Sequence, residues 1–112
     1  MKLLTAVLRP HAIDDVIERL QAIGISGGTA TEVQGFGKQK GRSELYRGAA
    51  YEDTLVPKIR LEVLLATEEV EAAVGVIEAT ASTGKVGDGK VWVTDVSDVV
   101  RVRTGDRGAA AL

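Results

Sequence analysis

The stretch "KIRLEVLLATEEVEAAVGVIEATASTG", residues 58–84, changes its apolar period partway along, and that change decides the fold. Ile59, Leu61, Val63 and Leu65 alternate with other residues, so they share one face of a strand. From Val70 the spacing becomes helical, and Val70, Ala73, Val74 and Ile77 form one stripe. Thr67 is the expected N-cap, with Glu68 and Glu69 in the first turn and Gly84 just past the end. "KVWVTDV", residues 90–96, then supplies a closing strand.

Working outward, the first half repeats this order. "KLLTAVL", residues 2–8, reads as a strand that Pro10 ends. "AIDDVIERLQAIG" places Ile13, Val16, Ile17, Leu20 and Ile23 at helical spacing, with Asp14 and Asp15 in the first turn and Gly24 as C-cap. "GTATEVQGF" follows as a second strand. Two successive βαβ units predict an α+β, ferredoxin-like split βαβ fold (βαββαβ), with two helices on one face of a four-stranded antiparallel sheet. A long loop protrudes between the two units and a short extension follows the last strand. Residues 1–112 are expected to form one domain.

The first strand is apolar on both faces, with Leu3, Thr5 and Val7 on one and Leu4, Ala6 and Leu8 on the other. The helices cover only one of these faces. The other should meet a second sheet, so oligomerisation is expected.

Composition narrows the functional classes. Hydrophobic residues make up 45% and charged residues 27% of the chain, which is ordinary globular composition. There is no cysteine, so disulfides, thiolate metal sites and a cysteine nucleophile are excluded. The N-terminal apolar run is too short for a membrane span and lacks a cleavage signal, which predicts a cytoplasmic protein. A net charge of -2 argues against a general nucleic-acid binder. Ten of the 14 Lys and Arg residues nevertheless fall in three segments: Lys38, Lys40, Arg42, Arg47 and Lys58; Lys85 and Lys90; and Arg101, Arg103 and Arg107.

Two of those segments suggest anion binding. "GKVGDGK", Gly84 to Lys90, has the spacing of a phosphate-binding P-loop, but Val91 stands where Ser or Thr would hold magnesium. The run also leaves a helix and enters a strand, so no helix N-terminus faces a phosphate. It reads either as an amide nest with Lys90 supplying charge or as a glycine turn. In "VVRVRTGDRG", Arg101 and Arg103 are two apart on a strand-like segment, both projecting from one face roughly 6.6 Å apart. They suit a polyphosphate, or else form a basic strand edge that discourages pairing.

The third segment, "KQKGRSELYRGAAYEDT" (38–54), shows neither apolar period. Unstructured loops longer than roughly 12–15 residues are uncommon in compact domains and are usually functional or disordered. It reads as a glycine-rich connection or as a surface that presents the Tyr51 phenol between small and acidic neighbours, open to modification.

"GFGKQKGRSELYRGAAY", "STGKVGDGKVWV" and "VVRVRTGDRG" together resemble the PII nitrogen-regulatory signal proteins, at near-constant spacing along the whole chain. The resemblance implies a homotrimer with ATP or ADP in clefts between subunits and 2-oxoglutarate bound beside MgATP. The arm at about residues 37–55 would dock on target proteins such as an ammonium transporter or nitrogen-assimilation regulators. By position, the nucleotide would meet Thr29, Gly37, Lys38, Leu64, Gly87, Asp88, Gly89 and Lys90, with Arg101 and Arg103 on its phosphates. Gln39 would help hold Mg2+ and 2-oxoglutarate. Lys58 and Gly87 would also meet 2-oxoglutarate, and Lys58 would pair with Glu62 when that ligand is absent. Tyr51 would accept a nucleotidyl group from a nucleotidyltransferase. Cytoplasmic location, with membrane association through a transporter, follows from the same resemblance. The chain departs from the common family pattern at Arg9, His11, Lys38, Arg42, Ser43 and Ala50.

Two other classes compete. A small phosphotransferase would need a nucleophile or carboxylate pair near the phosphate features, and His11 is remote from them in sequence. An RNA-binding sheet would need stacking aromatics in a strand motif that Phe36 and Trp92 do not reproduce.

Overall fold

A computed structural model describes residues 1–37 and 55–112 in full, and between them the backbone of two short strands. The elements run β1 (Lys2–Leu8), α1 (Ile13–Ala22), β2 (Thr29–Gly35), β3 (Glu44–Tyr46), β4 (Ala49–Tyr51), β5 (Val56–Leu65), α2 (Val70–Ala81) and β6 (Gly89–Asp95). Four strands form an antiparallel sheet in the order β2-β5-β1-β6, the expected βαββαβ arrangement. β3 and β4 pair with each other, Glu44 opposite Tyr51, inside the segment whose sequence shows no strand period. Among the described residues, no helix is long and apolar enough to cross a membrane.

Register explains which face is buried. β1 sits between β5 and β6, and Leu4, Ala6 and Leu8 lie opposite Val63, Leu61 and Ile59. Of these, all but Ile59 join Val16 and Leu20 of α1 and Ala73 and Ile77 of α2 in the core. Leu4, Leu8, Leu65, Ile77 and Val16 are fully enclosed, each contributing about 1.5–3 kcal/mol of burial free energy. The period-2 and helical stripes read from the sequence meet here, apart from Ile59 and from Ile23, which is 45% exposed at the end of α1.

The helix ends differ in how far the sequence foretold them. α1 closes as expected: Gly24 takes φ 94°, its N–H donates to Gln21 O at 3.0 Å, and Ile25 N–H donates to Leu20 O at 3.0 Å. That bond pair needs a left-handed residue, which glycine adopts without a Cβ clash. α2 departs from expectation at both ends. It is preceded by a 3-10 turn over Thr67–Glu69, and Thr67 makes no capping bond; the Glu69 carboxylate instead accepts the Ala66 N–H at 2.9 Å. At the C-terminus the helix stops when Ser82 becomes extended, and Gly84 belongs to the following turn.

The face away from the helices carries Leu3, Thr5 and Val7 of β1, Lys58, Arg60, Glu62 and Leu64 of β5, and Lys90 and Trp92 of β6. Leu64 and Trp92 are about half exposed, whereas Thr5 and Lys58 are buried. The face is thus apolar in part, with a polar and charged stripe along β5.

Candidate functional site

The turn from Thr83 to Gly89 is built by one carboxylate. Asp88 accepts the N–H groups of Thr83 at 2.7 Å and Gly84 at 2.9 Å, and the Thr83 hydroxyl also donates to it. On its other side it pairs with Arg9, whose Nη2 also donates to Val86 O at 2.7 Å. The Thr83 side-chain and backbone bonds hold the Asp88 carboxyl well below the usual carboxylate range, against the opposing effect of burial and with lesser help from Arg9 and the Gly84 amide. Asp88 faces the α2–β6 side, beside Ser82 and Val91. What its carboxylate does within the chain is close the turn.

At the end of the turn, Gly89 enters β6 with φ 108°, and a Cβ there would lie 2.0 Å from Val7 O. Only glycine permits that approach of β6 to β1. Lys90 and Val7 then stand opposite each other on the uncovered face.

That corner is concave. A cleft of about 570 Å³ is lined by Gly37, Lys58, Gly87, Gly89 and Lys90, with Phe36, Val86 and Trp92 as its apolar wall. Lys58 Nζ donates to Gly87 O at 2.7 Å. Burial, and secondarily the Arg9 charge, lowers the Lys58 pKa, with Asp88 acting in the opposite direction. Two lysines, a glycine turn and two exposed aromatics can hold an anion attached to a flat apolar group.

A second cleft, about 590 Å³, lies at the other end of β5. Thr29, Glu62 and Leu64 line it together with Gly28 and Leu112. Lys58 and Leu64 are six residues apart on one strand, roughly 20 Å. Within one chain the expected ligand residues are therefore split between two separate clefts.

Arg101 stands beside the second cleft. Its Nη2 donates to Leu112 O at 3.1 Å and its Nη1 to Asp106 Oδ2 at 3.2 Å. The strand geometry expected for Arg101 and Arg103 is not what the chain adopts. Gly105 N–H and Thr104 N–H donate to Arg101 O at 2.7 and 3.3 Å, which makes residues 101–105 a tight turn. Gly105 at φ 75° permits it, and Arg101 and Arg103 do not lie on a common strand face. Val100 bridges Arg107, and the segment folds back on itself.

The expected Lys58–Glu62 pair is not made within the chain either. Lys58 is taken by Gly87 O, and among the described residues Glu62 pairs instead with Arg60, at 4.0 Å. Lys38 and Gln39 lie outside the described residues, as does the side chain of Tyr51. Sequence reasoning missed Arg9, which lies 79 residues from Asp88, and the wall formed by Phe36, Val86 and Trp92.

The fold is a small α+β sheet domain whose uncovered face carries a glycine turn and a basic corner. Comparison with known proteins gives the particular family. The family model for nitrogen regulatory protein P-II matches residues 1–106. Over all 112 residues, and over the full length of each relative, the chain is 47% identical to nitrogen regulatory protein P-II of Rhizobium meliloti (strain 1021). It is likewise 46% identical to nitrogen regulatory protein GlnK of Escherichia coli (strain K12), and 48% identical to nitrogen regulatory protein P-II 1 of that strain. The chain belongs to the P-II family of nitrogen-regulatory signal proteins.

Proposed function

We propose that this chain, as one domain over residues 1–112, is a sensor of nitrogen, carbon and energy status. It binds ATP or ADP, and 2-oxoglutarate with Mg2+, and relays their occupancy to target proteins without catalysing a reaction. The observation that carries this reading is the convergence of Gly37, Lys58, Gly87, Gly89 and Lys90 on one cleft. Phosphate and carboxylate oxygens suit ammonium groups and glycine amides, and an adenine suits an apolar wall.

The split of the expected contacts favours a homotrimer whose clefts are completed by a neighbour. One subunit would bring the Gly87–Lys90 corner. The next would bring Thr29, Leu64 and the Arg101 and Arg103 segment. The exposed Leu64 and Trp92 on the uncovered face favour sheet-to-sheet assembly. Among the described residues, no three His, Cys, Asp or Glu side chains converge on a metal site. Magnesium would be held by phosphate and keto-acid oxygens with Gln39, a shell that suits an ion that takes few protein ligands.

Output would pass through the arm at about residues 37–55 to an ammonium transporter or a nitrogen-assimilation regulator. Tyr51 would be the residue that a nucleotidyltransferase modifies. The protein would be cytoplasmic, reaching the membrane only through a transporter. The acidic balance disfavours nucleic acid as partner.

Calorimetry with ATP, MgATP and 2-oxoglutarate, separately and together, tests the reading. 2-Oxoglutarate should bind measurably only with MgATP present, and by linkage it should tighten ATP in return. Equal 2-oxoglutarate affinity with and without nucleotide would sink the coupled-sensor mechanism.

A further inference from the structure

We propose that Arg9 is a positioning residue that aims the Gly87 amide at an anionic oxygen of the bound ligand. The inference rests on the reading that the Gly87–Lys90 corner takes phosphate or carboxylate. It concerns a residue outside the cleft lining, on a different element from the glycine turn.

The geometry runs through one peptide plane. Arg9 Nη2 holds the carbonyl of Val86 at 2.7 Å. Among the described residues no peptide bond is cis, and in a planar trans peptide the N–H points opposite the C=O. Fixing Val86 O therefore fixes the direction of the Gly87 N–H. The following peptide is held at both ends, because Gly87 O accepts from Lys58 and the Asp88 N–H donates to Lys85 O at 3.3 Å. The Gly87 N–H has no hydrogen-bond acceptor among the described residues. It is a donor whose direction is set and which no described residue accepts, in the wall of a cleft that two lysines make electropositive.

Arg9 is itself rigidly placed. It is the residue before Pro10, in the extended conformation that proline imposes (φ −63°, ψ 142°), directly after the central strand. Its fork reaches Asp88 and Val86 O together, and only 19% of the side chain is accessible. A lysine amine is a single point donor that cannot reproduce both bonds in a planar fork. Arg9 thus joins the Asp88 closure of the turn to the orientation of the Gly87 amide.

The test is calorimetry of ATP, and of 2-oxoglutarate with MgATP, on the intact protein and on Arg9→Ala, Arg9→Lys and Lys90→Ala. The two titrations distinguish a phosphate from a carboxylate as the oxygen at Gly87. Melting temperatures accompany them, and the Gly87 amide resonance is followed by NMR. Arg9→Ala should weaken one of the two ligands about tenfold, the loss expected for one misaligned charge-assisted bond. Arg9→Lys should fall between, and the ligand-induced shift of the Gly87 amide should shrink in the same order. A melting temperature lowered in Arg9→Ala moves the decision to Arg9→Lys. Wild-type affinity and an unchanged Gly87 shift in Arg9→Lys would then overturn the proposal. Wild-type affinities in Arg9→Ala, with Lys90→Ala impaired, would overturn it while leaving the functional reading intact. A wild-type protein that binds neither compound would remove both.

Discussion

Lys58 Nζ donates to Gly87 O at 2.7 Å, tying β5 to the glycine turn across the uncovered face of the sheet. The lysine is buried, and its pKa lies below the ordinary 10.5, chiefly because burial disfavours the charge. Between the folded and unfolded pKa values the unfolded chain binds more protons, so stability rises with pH across that interval. Lys58→Met should remove this rise. Melting temperatures of the two proteins from about pH 8 upward would measure it. An alkaline limb identical in both would refute the assignment.

Asp88 makes a prediction of the same sign at the acid end. Its folded pKa is depressed, first by Thr83 and then by Arg9 and Gly84, so its stabilisation is present above the ordinary carboxylate value and is lost as pH falls below it. Asp88→Asn should flatten the acid limb of the stability curve and leave the neutral-to-alkaline limb unchanged in shape. It should also speed exchange of the Thr83 and Gly84 amides, the two that Asp88 accepts. Unaltered exchange at those amides would mean that the turn closes without the carboxylate.

Arg101 spends one donor on Asp106 and one on Leu112 O, so a phosphate that takes its remaining donors shares the guanidinium with the Asp106 charge. Arg101→Ala and Arg103→Ala should each weaken ATP about tenfold or more, at roughly 1.5–3 kcal/mol per charge-assisted bond. Asp106→Asn removes the competing charge and should tighten ATP, an effect that should vanish in the Arg101→Ala background. Additive effects in that double-mutant cycle would show that Asp106 does not act through Arg101.

The arm leaves the sheet between paired strands, since Gly35 of β2 lies opposite Val56 of β5. A short connection can therefore replace it without breaking register. Deleting residues 42–53 should keep the melting temperature and ATP affinity near wild type while abolishing target binding in a pull-down. A collapsed melting temperature would make the arm structural, and retained target binding would mean that another surface carries the output.

The sheet and helices were legible because each buried face has its own period. Leu61, Val63 and Leu65 alternate, and Ala73 and Ile77 keep helical spacing, and these are the residues found in the core. What escaped was set by side chains that meet only after folding. Nothing near Thr67 announces that Glu69 will bond the Ala66 N–H in its place. The Arg101–Arg103 spacing mimics a strand, but the Thr104-Gly105-Asp106 turn chemistry overrides it, since Gly105 permits positive φ and the Thr104 hydroxyl donates to Asp106 at 2.8 Å. The candidate site was legible as glycines and cations. The Arg9–Asp88 link was not, because it joins opposite ends of the chain through the pairing of β1 with β6.

The two clefts at opposite ends of β5 have a consequence for measurement. If each ligand needs one cleft from one copy and the other from its neighbour, occupancy obeys mass action in protein as well as in ligand. Dilution would then lower apparent nucleotide affinity, and saturating nucleotide would slow exchange of subunits between labelled and unlabelled assemblies. A binding constant for this protein would be defined only together with the chain concentration at which it was read.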